Sequence, residues 1–472
     1  MKRRLVYKFI GKVLVGFSIL FIFPSLTALF YHESVTPFLI PQAISLIIGL
    51  ILSRIEVDDI NYFAKDGFFI VSLSWIIISL IGCLPFIING DCNFVDAFFE
   101  TVSGFTTTGV TIFKNVEVLD KSILFWRSFS HFIGGMGVLA FVMTIIPLAS
   151  KDKSMHLLKA EMPGPRVDKL VPSLRKTLIY LYSIYLGLTL IEIILLLISG
   201  LSLFDSLLIS FGTAGTGGFS VLNSSLASYS VFSKLIVAVF MLLFGVNFNI
   251  YFLILIKDYK SAFKSEELKV YLIIYFLAVF WIFINTLSII GNVSDTLVEA
   301  LFHVSSFMTS TGYSVGNVNI YPTSCRVVIL ILMLVSACAG STCGGFKISR
   351  LIICIKGIIR DLRSIVYPNR VETITFEGKK ISNEVLKSTN IFLFLYAIII
   401  IIIMFIVSLD GYSFETTMNA VFTTFANVGL CFNLGDFSHF SVLSKLVMSL
   451  GMLLGRLEIF PIISLFIDFK RR

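Results

Sequence analysis

The chain carries ten long apolar stretches, near residues 10–31, 36–54, 66–88, 122–149, 177–199, 231–256, 268–290, 324–360, 388–409 and 441–469. A helix of roughly 20 apolar residues is what it takes to cross the hydrocarbon core of a bilayer. No soluble fold accommodates ten such segments, so they confine the chain to an all-α membrane protein. Composition agrees: 57% of residues are hydrophobic, 14% are charged and the mean hydropathy is +0.94, whereas soluble proteins are about one-quarter charged. The N-terminal MKRRLVYKFIGKVLVGFSILFIF resembles a signal peptide. Its apolar run is long and no small-residue cleavage site follows, so it reads as a retained first span.

Between successive spans lie four half-length elements, 95–105, 203–213, 296–307 and 413–425, too short to cross. Each opens on an acid, in FVDAF (Asp96), LFDSL (Asp205), LVEAL (Glu299) and SFETT (Glu415). Thirteen residues after the acid, fourteen in the last, stands a glycine, in GVT (Gly109), GFS (Gly218), GYS (Gly312) and GLC (Gly429). An acid near a helix start complements the positive end of the helix dipole, and a glycine ends the helix in conformations other residues avoid. The constant offset selects Gly218 over Gly217 as the equivalent position. Self-similarity at a fixed period is the mark of a repeat architecture. The expected fold is therefore four tandem span–pore-helix–filter–span repeats around one pore, preceded by two extra transmembrane helices. The expected divisions are 1–60 for the leading pair, then 61–150, 151–257, 258–365 and 366–472 for the repeats.

Irregular backbone at membrane depth is tolerated only inside protein or beside a water-filled path. Four re-entrant loops around one axis meet that condition by lining a shared pore. The residues before the glycines are Thr106, Thr107 and Thr108; Gly215, Thr216 and Gly217; Thr309, Ser310 and Thr311; and Ala426, Asn427 and Val428. These side chains are small and uncharged, so the groups offered to an ion are backbone carbonyls. Rings of carbonyls replace the hydration shell of a potassium-like cation. The short helices would aim their negative C-terminal ends at its path. The competing reading, four ordinary external turns, does not account for four copies at one offset.

The net charge of +8 suggests nucleic-acid binding until its placement is examined. Thirty of the 37 Lys and Arg fall on one side of the ten-span arrangement. By the positive-inside rule both termini are cytoplasmic, and no nucleic-acid partner is implied. The seven cysteines form no CxxC pair and suggest neither a metal site nor a disulfide framework, although Cys83 and Cys92 flank a short external turn and could pair. No Walker motif or dinucleotide fingerprint is present, so no nucleotide is expected on this chain and no cofactor is bound covalently. A membrane enzyme would need a nucleophile–base pair or clustered ligands; five histidines and scattered acids do not supply them. A transporter of organic solutes predicts two related halves with polar groups at the midplane; this chain shows quarters.

Four further features stand out. SACAGSTCGG (336–345) interrupts a helix too long for one span, either unwinding a turn or forming a small-residue packing face. Lys347 follows it, holding the loop or marking the membrane boundary. Arg456, in MLLGRLEIFP, lies mid-span, where a lone arginine costs roughly 2.5–3.5 kcal/mol on insertion scales; it must face water or a partner. Glu458 is two residues on and points to another face, which leaves Asp468 as the other local acid. Glu192 reads as hydrogen-bonded between helices, and Arg127 and His131 as braces of the outer vestibule.

FFETVSGFTTTGVT, GTGGFS, SSFMTSTGYS and FANVGLCFN, together with WRSFSHFIGGMGV, AGSTCGGFKISR and GRLEIFP, resemble the Trk/Ktr/HKT potassium transporters from about residue 66 to the C-terminus. The two leading spans fit the Trk-type membrane subunit. The resemblance implies K+ as substrate, held at filter carbonyls of Thr106, Thr107, Thr108, Gly109, Thr216, Gly217, Gly218, Ser310, Thr311, Gly312, Asn427, Val428 and Gly429. It implies a gating loop of Gly340, Ser341, Thr342, Gly344, Gly345 and Lys347, and a pore barrier at Arg456. It further implies a homodimer in the inner membrane of a prokaryote, working on a cytoplasmic nucleotide-binding regulatory subunit. The basic segments 150–176 and 347–387 are the expected docking surface for that partner. The alternative is the same pore passing sodium, or sodium with potassium; in plant relatives a serine at the first filter glycine accompanies sodium, and Gly109 is present here.

Overall fold

The computed structural model describes residues 3–57, 64–137, 174–368 and 372–467. Helices α1 (Arg3–Leu20) and α2 (Ile22–Phe30) run on as one apolar rod, and α3 (Thr36–Ser53) returns along α1. Two glycines set how closely α1 and α3 approach. A Cβ on Gly11 would meet the Ser53 backbone, and one on Gly49 would meet that of Val15. The Ser45 hydroxyl crosses the same seam to donate to the Leu14 carbonyl at 2.9 Å.

Next come α4 (Ala64–Gly82), α5 (Leu84–Asn89), the half-length α6 (Phe94–Phe105) and α7 (Lys121–Met136). The leading helices dock on this unit through Phe17, Phe21 and Trp126; Phe21 and the indole stack 4.7 Å apart. Trp126 Nε1 donates to the Gly82 carbonyl at 3.0 Å, and the Glu33 carboxylate caps α7 by accepting from the Lys121 and Ser122 amides. The second unit is α8 (Leu174–Ile198), half-length α9 (Leu203–Gly215), α10 (Val231–Gly245) and α11 (Phe248–Leu255). After the short α12 (Tyr259–Lys264), the third is α13 (Glu266–Ile290), α14 (Val293–Met308), α15 (Thr323–Leu334) and α16 (Ile348–Val366). The fourth is α17 (Asn383–Val407), half-length α18 (Phe414–Phe425), α19 (Val442–Arg456) and α20 (Phe460–Ile467). Among the described residues the sheet content is two pairs of two-residue strands: β1 (Val335–Ser336) lies parallel to β2 (Phe346–Lys347), and β3 (Thr375–Phe376) antiparallel to β4 (Lys379–Lys380).

The chain is an all-α, multi-pass membrane protein. Among the described residues six helices are long and apolar enough to cross a bilayer, and a seventh if the bent pair α10–α11 counts as one. Their outer faces stay apolar and uncovered: Phe276, Leu277 and Phe280 on α13, Phe394, Ile401 and Phe405 on α17. Among the described residues three expected spans are not continuous helices, and a fourth is described only in part. The 231–256 segment bends by 92° between Gly245 and Phe248, where Asn247 caps the second piece by accepting from Asn249 N. The 441–469 segment breaks after Arg456, with Glu458 and Ile459 both at positive φ. The 324–360 segment is parted by residues 335–347, and 122–149 is described only to 137, where Gly137 (φ 78°) follows α7.

The four short helices start on capping side chains. Asn93, Ser202, Asn292 and Ser413 each accept an amide of the first turn, an arrangement typically worth about 1 kcal/mol. The third begins at Val293, so its first-turn acid is Asp295 and not Glu299, which lies a turn further in beside Gly316 and the Tyr321 hydroxyl. Cys83 and Cys92 are free thiols.

The α1–α3 seam leaves no room for a branched side chain, and overpacking typically costs about 1–3 kcal/mol. Gly11→Val is therefore expected to lower the thermal unfolding midpoint of the detergent-solubilised protein by several degrees. Gly187→Val, at a glycine whose Cβ would have no neighbour within 4 Å, should leave it unchanged.

Candidate functional site

Four loops follow the short helices, and their backbones share one conformation. Thr107, Thr216, Ser310 and Asn427 have φ of 54°, 56°, 53° and 56°. Two residues later Gly109, Gly218, Gly312 and Gly429 are again at positive φ, between 75° and 94°. Each intervening residue donates its amide to the carbonyl five residues back: Thr108 to Ser103, Gly217 to Gly212, Thr311 to Ser306, and Val428 to Thr423, at 2.8–2.9 Å. Left-handed conformation costs a non-glycine residue about 1–3 kcal/mol, so four copies must be held by their surroundings.

The glycines show how the loops meet. A Cβ on Gly109 would collide with the Gly217 carbonyl oxygen, on Gly218 with that of Thr311, on Gly312 with that of Val428, and on Gly429 with that of Thr108. Each loop thus abuts the next and the fourth returns to the first. The contacts close a ring of four glycines and four carbonyl oxygens. Backbone that alternates in handedness lines successive N–H groups along one side and leaves the carbonyls to the other. The residues two before each glycine turn their side chains to the surrounding helices. The Thr107 methyl faces Gly134, the Thr216 hydroxyl donates to the Thr342 carbonyl (3.1 Å), the Ser310 hydroxyl accepts from Gly344 N (3.0 Å), and the Asn427 amide donates to Met452 O (3.0 Å) and Thr108 Oγ1 (2.8 Å). Thr106 and Thr108 hydroxyls bond each other, as do Thr309 and Thr311, both at 2.8 Å. Most of these polar side chains are bonded away from the ring, the Thr107 hydroxyl and Asn427 Oδ1 being buried without a partner among the described residues, and what the ring offers is backbone.

On one side of the ring a cavity of about 250 Å³ is lined by all four glycines and by Thr111, Arg127, Ser220 and Ser314. Its wall rests on a buried ion pair that sequence reading had only half found. Arg127 Nε donates to Glu100 Oε1 at 2.8 Å, with both side chains at most 2% exposed. Glu100 also accepts from Thr111 Oγ1 and Ile112 N, which anchors the strand leaving Gly109, while the guanidinium stacks 4.2 Å over Phe219 of the second loop. His131 spans the same two loops: Nε2 accepts from Phe219 N, which leaves Nδ1–H to donate to the Gly104 carbonyl at 2.8 Å. His303, on the short helix α14, does the corresponding work within the third unit alone, accepting from Val315 N and bonding the Tyr321 hydroxyl at 2.7 Å. Salt bridges join neighbouring units at their rims: Asp96 to Lys445 at 2.5 Å and Glu415 to Arg326 at 3.0 Å. Glu192 is fully buried, with Thr213 of α9 as its polar neighbour across the helix pair.

On the other side of the ring lies the segment between β1 and β2, with Gly340, Ser341, Thr342, Gly344, Gly345 and Lys347. It touches three of the four loops through Thr216, Ser310 and Asn427. Lys347 is fully buried and donates to the Cys343 carbonyl, so it holds the segment from within. The buried Glu267 ties both ends, accepting from Ala339 N (2.7 Å) and Ser349 N (3.1 Å). Arg456, 6% exposed, donates to Thr342 O at 2.7 Å, to Gly134 O at 2.5 Å and to Gly135 O at 3.1 Å. Those last carbonyls are at the C-terminal end of α7, where the helix dipole favours a cation. Glu458 turns away and pairs with Arg350 at 2.6 Å; Asp468 lies outside the described residues, as does most of the basic 150–176 segment.

Residues 42–470 match the TrkH family model, described as cation transport protein. The chain belongs to this family. It is 32% identical to the Trk system potassium uptake protein TrkG of Escherichia coli, over 99% of this chain and 98% of that one. It is 31% identical to the Trk system potassium uptake protein TrkH of Salmonella typhimurium, with 98% of each covered. The crystal structure of the potassium transporter TrkH from Vibrio parahaemolyticus superimposes with a TM-score of 0.89 at 28% identity over the full length of both chains.

Breaking a buried ion pair by removing one partner costs roughly 3–5 kcal/mol, because the other charge stays buried. Arg127→Met is expected to destabilise this TrkH-family protein by about that amount in a detergent unfolding assay. The double variant Glu100→Gln/Arg127→Met should recover more than half of the loss. Equal losses in the two variants would assign the effect to packing of the guanidinium instead.

Proposed function

We propose that the chain is the ion-translocating membrane subunit of a Trk-type uptake system and that K+ passes through the glycine–carbonyl ring. The observation that carries this reading is the closed ring: each glycine lies against the carbonyl of the next loop, with the neighbouring side chains turned outward. Such a ring offers a cation oxygen ligands in place of its water. On this reading each repeat supplies one quadrant of the filter, and the cavity beside Arg127 is the outer vestibule. The segment 335–347 is the gate, and Arg456 is a positive barrier beneath the filter that pins the gate through Thr342. Potassium uptake by relatives named for it, aligned over the whole chain, supports the choice of ion. The alternative, sodium or mixed transport through the same ring, is disfavoured by glycine at all four positions. The charge placement supports cytoplasmic termini in a prokaryotic inner membrane. A homodimer on a nucleotide-binding cytoplasmic subunit completes the assembly, with the basic segments as its docking surface.

The test is rubidium uptake into liposomes holding the purified protein. Potassium should compete, whereas sodium and lithium at the same concentration should not; equal competition by sodium would put the alternative first. Arg456→Ala removes both barrier and pin and should raise flux severalfold. Glu267→Ala, which frees the two ends of the segment, should raise it in the same direction. Flux absent from wild type and from both variants would refute the pore.

A further inference from the structure

A second cavity lies away from the ring. It holds about 1040 Å³ and lies between α16, the β3–β4 hairpin and the first three turns of α17. Four cationic side chains line it, Arg360, Arg363, Lys380 and Lys387, against two carboxylates, Asp361 and Glu372. The carboxylates are engaged: Asp361 pairs with Arg360 at 2.7 Å and Glu372 with Arg363 at 3.5 Å. Lys380 and Lys387 are exposed, and among the described residues their ammonium groups meet no carboxylate. The cavity therefore has a net positive floor with two uncommitted cations.

Its other wall is apolar, and the change occurs along α17 itself. Asn383, Lys387 and Asn390 face the cavity from the first turns, and Ile391, Phe394 and Leu395 from the next. From Ile391 to Val407 the helix has no charged residue. Phe394 is 68% exposed although it lines the cavity, so that wall opens toward the surface that faces lipid. α16 also carries Ile358, Leu362 and Ile365, 58–76% exposed, on a face outside the cavity lining. A soluble anion would have use for the basic floor alone. A molecule that uses both walls has an anionic head and hydrocarbon tails.

We propose that this cavity binds an anionic phospholipid of the leaflet on the α17 N-terminal side, with its phosphate between Lys380 and Lys387 and an acyl chain along Ile391 and Phe394. Basic pockets at the membrane boundary between helices are suited to such headgroups. The inference needs only that the protein spans a bilayer, is independent of which ion passes the ring, and assigns Lys380 and Lys387 to lipid, leaving the other basic residues of 150–176 and 347–387 to the docking surface.

The test is native mass spectrometry of the full chain, delipidated and incubated with micelles of phosphatidylglycerol or phosphatidylcholine. The wild type should retain phosphatidylglycerol in preference to phosphatidylcholine. Lys380→Ala/Lys387→Ala should cut that retention by on the order of fivefold per lysine, with an unchanged melting temperature because both side chains are exposed. Phe394→Ser should weaken lipid retention while leaving the headgroup preference. Retention equal to wild type in the lysine variant would overturn the proposal. Displacement of the lipid by glycerol 3-phosphate at equal concentration would reassign the cavity to a soluble phosphate. A change of oligomeric state in the lysine variant with lipid retention intact would make the cavity a contact between copies of the chain, and would also overturn it.

Discussion

The contact on which this structure depends is a carbonyl oxygen seated against a glycine with no Cβ, made four times around one axis. Add a Cβ at any of the four positions and the neighbouring loop must retreat. Because the contacts run Gly109 to Gly217, Gly218 to Thr311, Gly312 to Val428 and Gly429 to Thr108, a retreat at one place opens the ring everywhere. The short helices, their caps and the Asp96–Lys445 and Glu415–Arg326 bridges can be understood as a frame that holds the loops at that separation. The left-handed residues two before each glycine are under strain that an isolated loop would relax. They keep their conformation because three of the side chains are hydrogen-bonded outward, to a helix or to the segment beneath, and the fourth, Thr107, packs its methyl against Gly134.

Placing this much irregular backbone at membrane depth raises a second problem, since every unpaired amide or carbonyl there costs free energy. The solution is local and repeated. Ser103, Ser306 and Thr423 hydroxyls each donate to a carbonyl just past the glycine, at 2.6, 2.7 and 2.9 Å. The second loop lacks that bond and uses the Tyr313 hydroxyl, which reaches Phe219 O from the third unit. His131 and His303 serve amides one residue or more beyond the glycines, and their neutral form is the one that can accept from an N–H. The result is that the backbone leaving each loop is paired by a neighbouring side chain, even though serines further back on the helices, such as Ser72, Ser206 and Ser210, are buried without a partner among the described residues.

How much of this was legible in the sequence follows from range. The long helices and the four half-length elements were visible because their signals, apolar length, a capping residue and a glycine, lie within a dozen residues. Gly218 was distinguished from Gly217 by the same local offset, and its φ of 75° against the absence of a positive φ at Gly217 gives the reason. The breaks at Val246–Asn247 and Leu457–Ile459 were not legible. Neither holds proline or glycine, and both are apolar enough to read as continuous helix; they are set by partners elsewhere, such as Gly340, whose carbonyl accepts from Phe248 N. Glu299 was misplaced because an acid at the right offset looked like a first-turn residue, whereas Asn292 starts the helix earlier. Glu100, Glu267 and His303 were missed altogether, since their partners are separated by turns of chain and no motif couples them.

The departures from fourfold symmetry are as informative as the symmetry. Among the described residues only the fourth unit has an arginine at the break beneath the ring, and only the third has a segment that passes under it. In a tetramer of identical chains an arginine there would appear four times around one axis. Like charges about 8 Å apart in an effective dielectric near 20 repel by roughly 2 kcal/mol per pair, and four segments would compete for one space. A single chain carrying all four units escapes this. It can place one guanidinium, supply its partners from two other units (Gly134 and Gly135 from the first, Thr342 from the third), and leave the ring itself nearly symmetric. The guanidinium then links α7, α19 and the 335–347 segment at a single point. Moving that segment cannot avoid stripping Arg456 of the Thr342 carbonyl, so the charge beneath the ring and the position of the segment are coupled by construction.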